Sequence, residues 1–170
     1  DYTAKHGMFL ILDMQFGRRT VQEEIAQVRD WLKLPHVQLA LDPEFAVKPG
    51  ETPGVDLGSI DAEDIHYAQD EMVKIAEEAG IPPKLLIVHQ FNYYSVSNKE
   101  SIEPVPGVQF ILSVDGFGTP HEKLETYAVL TDPRIEFYAF KLWYTGEDEP
   151  LMSPEDVLAL DPIPDMVIYQ

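Results

Sequence analysis

Six times along the chain, an apolar run of strand type stops at a polar residue. Met8 to Leu12 stops at Asp13, Leu39-Ala40-Leu41 at Asp42-Pro43-Glu44, and Leu85 to Val88 at His89-Gln90. Phe110 to Val114 stops at Asp115-Gly116, Phe137 to Phe140 at Lys141, and Met166 to Tyr169 at Gln170. Several runs are continuous in their hydrophobicity rather than alternating, the pattern of strands covered on both faces in a parallel sheet. Consecutive polar ends lie about 26 to 47 positions apart, room for a helical crossover each time. Strands that each deliver a polar group at the carboxyl end are what a parallel α/β sheet needs to build a site.

The intervening segments carry helix signals. Asp1 to Gly7 reads as the last turn of a helix with Gly7 as its left-handed cap, an expectation that implies further chain upstream. Thr20 with Glu23 forms a capping box, and Val21, Ile25, Val28 and Leu32 make one apolar stripe. Ser59 or Asp61 opens a helix that ends at Gly80 before Pro82-Pro83. Lys99 to Ile102 reads as a short helical turn. Thr119-Pro120 and Ser153-Pro154 each pair a cap with a proline at the first helical position. No linker divides the chain, so residues 1–170 read as one domain that lacks an amino-terminal portion.

The expected fold class is α/β: a parallel β/α-barrel of TIM type to which this chain supplies about six βα units. The alternative is an open doubly wound sheet. That sheet concentrates its ligand at one switch point, whereas here every strand, including the last, ends in a polar side chain. Neither Gly-x-Gly-x-x-Gly nor a Walker A sequence is present, which weakens a nucleotide-binding version of the open sheet.

Charge narrows the partners. Lys and Arg number 12 against 30 Asp and Glu, a net charge of −18. Phosphate recognition relies on cationic neutralisation, so nucleic acid and anionic membranes are disfavoured, while neutral polymers such as carbohydrates remain. The absence of cysteine removes disulfides, thiolate metal sites and a cysteine nucleophile. No run of about 18 apolar residues is present to span a membrane.

The segments Phe9 to Arg18, Leu39 to Phe45, Leu86 to Phe91, Val114 to Gly118 and Val157 to Pro162 together resemble a family of bacterial lipoproteins and secreted proteins. That family carries a TIM-barrel-like domain reminiscent of glycoside hydrolases. The resemblance implies a barrel and an extracellular or envelope-anchored location, without assigning a reaction.

Glycoside hydrolysis needs two carboxyl groups flanking the scissile bond. Glu44 is the leading candidate, with Asp42, Asp115 or Asp13 as its partner; Asp42 and Glu44, two apart, face one cleft if the strand continues through them. The bland alternatives are a loop-bracing Asp42, a solvated Glu44 and an Asp115-Gly116 turn. His89 and Gln90 are candidates for orienting substrate, and Lys141, the sole cation among the strand ends, for pairing with a carboxylate or contacting substrate. Schiff-base chemistry at Lys141 is disfavoured, because so many acids hold it protonated. Tyr93, Tyr94, Phe117, Trp143 and Tyr144 follow strands and suit stacking against sugar rings, as Gln170 at the last strand end suits a polar contact.

No cofactor is expected. Asp13, Asp42, His89 and Asp115 would suit a divalent cation if they shared one, but a single strand-end histidine is a weak signature. The leading function is a glycoside-hydrolase-like barrel acting on or binding an extracellular or envelope polysaccharide. A metal-dependent hydrolase and a non-catalytic surface binding or scaffold domain are the alternatives.

Overall fold

The computed structural model describes residues 2–170. Asp1, part of the expected opening helix end, lies outside the described residues. That helix, α1 (Tyr2–Lys5), is one turn closed by Gly7 at φ 65°, followed by β1 (Leu10–Met14). Thr20 and Glu23 form the expected capping box of α2 (Val21–Leu32), which leads to β2 (Val37–Leu41). A two-residue β3 (Ile60–Asp61) feeds α3 (Ala62–Ala79), capped by Asp61 with Asp64 as the reciprocal acid and ended by left-handed Gly80.

β4 (Lys84–Gln90) comes next, and a short β5 (Val96–Ser97) in the following loop pairs with β3. Then come β6 (Val108–Val114), α4 (Pro120–Leu130) and β7 (Phe137–Leu142). α5 (Pro154–Leu158) and β8 (Met166–Tyr169) close the order. Both α4 and α5 start at the expected Thr-Pro and Ser-Pro caps, where proline's missing N–H costs nothing. A 3₁₀ turn at Lys99–Ser101 fills the expected short helical segment.

The main sheet is entirely parallel and runs β1-β2-β4-β6-β7-β8, a curled, open half-barrel. Its order follows the chain without reversal, so it has no switch point and is not the doubly wound alternative. The convex face packs on the helices through a core that includes Ile25, Leu39, Ile65, Met72, Leu86, Leu112 and Phe140. The concave face carries its own smaller layer, Ala40, Ile87, Ile111 and Ala139, flanked by Leu85, Phe137, Met166 and Ile168. Across the register Ala40 is followed by the larger Ile87, Ile111 and Phe137, while Ala139 lies beside Ser113.

Two local expectations are corrected. The continuous apolar run from Met8 into Asp13 reads as a strand covered on both faces, yet Leu10 and Ile11 of β1 are 39% and 38% exposed. β1 is an edge strand bonded only to β2, and one-turn α1 contributes no buried residue to shield it. Pro43–Phe45 forms a 3₁₀ turn rather than continuing β2. Same-side alternation therefore stops at Asp42, whose N–H still bonds the Met14 carbonyl at 3.1 Å.

What fixes the residues beyond β2 is the loop's closure. Gly58 N–H donates to the Glu44 carbonyl at 2.7 Å, and Ser59 N–H to that of Ala46 at 3.2 Å. A Cβ at Gly58 would stand 2.2 Å from the Ala46 oxygen, so only glycine permits this approach. Val47 N–H in turn bonds the Gly17 carbonyl, zipping the loops after β1 and β2 together.

Candidate functional site

The concave side chains at the carboxyl ends of β1, β2, β4, β6 and β7 form one polar cluster. Asp115 is its centre. Its backbone N–H continues the ladder onto the Gln90 carbonyl at 3.1 Å, which fixes the chain one residue past β6. Its side chain, 3% exposed, accepts from Ser113 Oγ at 2.7 Å and Lys141 Nζ at 3.1 Å, and lies 2.8 Å from His89 Nδ1. The His89 contact is close but off the ring N–H axis, so it acts as an ion pair more than an aligned hydrogen bond. His89 Nε2 faces Asp13 Oδ2 at 3.7 Å.

Burial alone would raise the Asp115 carboxyl, but His89, Lys141 and Ser113 outweigh it and hold the group below the usual aspartate value. His89 is the mirror case. Burial disfavours its charge, yet Asp115, Asp13 and Asp42 together push it up to about 8. Asp42 behaves in the opposite sense to Asp115. Burial, reinforced by Asp13, Glu44 and Asp115 and opposed by His89, pushes it up to about 7. Among the described residues none donates a hydrogen bond to its side chain.

Glu44, half-buried, is raised by burial and by Asp115 and Asp13, against the opposing charges of Lys141 and His89. The 3₁₀ turn thus leaves Glu44 within the field of the cluster even though strand alternation does not direct it there.

The aromatic groups divide. Trp143 donates its indole N–H to the Asp115 carbonyl at 2.8 Å, and Lys141 Nζ sits 4.3 Å from its ring centroid. Half-exposed Phe117 packs on both Trp143 and Phe91, with centroids at 6.0 and 5.4 Å. Tyr93 and Tyr94 meet edge to face and border a separate hollow of about 330 Å³ that Val96 to Glu100 complete. Tyr144 and Gln170 are joined by a backbone bond at the β8 edge, with exposed side chains.

Gln90 is not part of the cluster. Its neighbour His89 takes the concave face, so Gln90 turns to the helices, where it is fully buried. Its amide accepts from Lys99 Nζ and donates to the Asn92 carbonyl, away from the cluster. The structure therefore brings together Asp13, Asp42, Glu44, His89, Asp115, Lys141 and Trp143, with Phe117 at the rim. Among the described residues no group of three or more His, Asp or Glu side chains is arranged to share an ion.

Three participants escaped sequence reasoning. Ser113 precedes Asp115 by two residues on the same face, a signal that alternation alone contained. Lys123 lies on the buried stripe of α4 with Tyr127 and Leu130, at i, i+4 and i+7, where a lysine is conspicuous. Asp148 had no signal, being one acid in the run Glu147-Asp148-Glu149.

Comparison with known proteins gives no family model, no curated protein and no solved structure that matches this chain.

Proposed function

We propose that this chain is a glycoside-hydrolase-like β/α-barrel domain that acts on or binds a neutral extracellular or cell-envelope polysaccharide. One observation carries the reading: at a single strand-end mouth the carboxyl groups are driven apart in acidity, Asp42 and Glu44 upward and Asp115 downward. Separation of this kind is how one site supplies an acid and a base at the same pH. Glu44, partly open to solvent, is the proton donor to the leaving oxygen. Asp115, held ionised by His89 and Lys141, is the candidate for the second carboxyl group, with half-exposed Asp13 the alternative. Asp115 also keeps His89 charged and Lys141 in place.

Phe117 and Trp143 offer the apolar faces that sugar rings stack on. The unreversed strand order supports barrel rather than doubly wound geometry, and the resemblance supports a location outside the cell. A polysaccharide screen read by reducing-end release tests the assignment. Glu44→Gln is expected to retain folding and lose about 100-fold or more of the turnover. Equal turnover in the variant refutes it.

The complete sequestration of Asp115 favours a second reading, a non-catalytic glycan-binding domain. Glycan binding without hydrolysis, unchanged in Glu44→Gln, selects it.

A further inference from the structure

Behind the mouth lies an ion pair buried on both sides. Lys123 Nζ and Asp148 Oδ2 are 3.0 Å apart, with side-chain exposures of 1% and 0%. Lys123 also donates to the Gly116 carbonyl at 2.7 Å and the Lys141 carbonyl at 2.8 Å. Asp148 accepts from Gly118 N–H at 3.0 Å and Trp143 N–H at 2.9 Å. Each of these backbone groups belongs to a residue at the mouth or directly beside one.

We propose that the Lys123–Asp148 pair is a positioning device that locks residues 115–118 onto residues 143–148 and so sets where Lys141, Trp143 and Phe117 stand. The contacts form a closed circuit. Lys123 holds the Lys141 carbonyl, and Lys141 Nζ holds the Asp115 carboxylate. The Asp115 carbonyl holds the Trp143 indole, and the Trp143 N–H returns to Asp148. Phe117 sits between the two clamped residues Gly116 and Gly118 and rests on the Trp143 ring.

An apolar pair of similar volume would fill this space at least as favourably, because burying two charges is costly. It would not supply the four directed contacts to the backbone groups of Gly116, Gly118, Lys141 and Trp143. The charges therefore specify geometry rather than add stability. That this geometry serves a sugar rests on the polysaccharide reading; the positioning itself does not.

The test isolates Trp143 by Trp31→Phe, since Trp31 is the other of two tryptophans and is exposed. Lys123→Met or Asp148→Asn alone strands a buried charge, so the two are combined in a neutral pair. Lys123→Arg, which keeps the charge while altering the donor geometry, is the second variant. The readout is the Trp143 indole N–H resonance and its solvent exchange, recorded well below each Tm.

In both variants the resonance is expected to shift and exchange to quicken, by about tenfold in the neutral pair, as the indole loses its fixed acceptor. A lowered Tm with an unchanged indole signal in both overturns the proposal and leaves the pair merely structural. A displaced indole in a protein that neither binds nor cleaves any polysaccharide upholds the positioning and refutes the polysaccharide reading alone.

Discussion

Replacing Asp42 by asparagine is expected to stabilise the protein in alkaline solution and to do nearly nothing in mild acid. Asp42 is 5% exposed at the end of β2, and its carboxyl is displaced from 3.8 to about 7, chiefly by burial. The folded state thus keeps a proton that the unfolded chain releases between these values. The unfolded chain binds fewer protons across that window, so stability falls as pH rises through it. The displacement corresponds to a loss of about 4 kcal/mol in the fully ionised state, an order-of-magnitude figure.

Asparagine resembles the protonated acid and never ionises. Urea unfolding at pH 4 is expected to give wild type and Asp42→Asn stabilities within about 1 kcal/mol. At pH 8.5 the variant is expected to be the more stable by about 2–4 kcal/mol. Equal destabilisation by the asparagine at both pH values refutes the reasoning, because Asp42 would then be an ionised group held by favourable contacts. A gain at high pH is also what a site residue kept for chemistry rather than stability shows.

Four further outcomes follow from the same geometry. His89, raised from 6.5 to about 8, contributes about 2 kcal/mol that is complete below pH 6.5 and is lost as pH rises through 8; His89→Gln removes that slope from the pH dependence of urea unfolding. Asp115→Asn strands Lys141 and His89 and is expected to cost about 3–5 kcal/mol, against about 1 for Ser113→Ala, in chemical denaturation at neutral pH. Gly58→Ala forces the loop beyond Glu44 apart and is expected to lower Tm by several degrees, for a loss of about 1–3 kcal/mol. Leu112→Ala, fully buried behind the site on β6, is expected to cost about 2–5 kcal/mol by urea unfolding.

The sequence made the parallel sheet legible because hydrophobic runs and their crossovers are long-range patterns that tertiary context seldom overrides. The caps were legible because a Thr20–Glu23 box satisfies donors that have no partner within the helix. Edge position was not: Leu10 and Ile11 are as apolar as the central strands, and only the final strand order reveals that no neighbour covers them.

At the site, Asp13, Asp42, His89, Asp115 and Lys141 were readable as strand ends. Gln90 was misplaced because one residue of offset turns a side chain to the opposite face. Glu44 was placed by a strand rule that Pro43 terminates, and it remains near the cluster through the loop closure at Gly58 instead. Asp148 was invisible because choosing one acid among three neighbours requires knowing where Lys123 points.

Site-resolved carboxyl titration by ¹³C NMR tests the central claim most directly. The account predicts three separated behaviours: Asp42 titrating near 7, Glu44 above its ordinary 4.5, and Asp115 ionised to below 3.8. A common titration of all three near their ordinary values contradicts it, because the mouth would then hold solvated carboxylates with no division between acid and base.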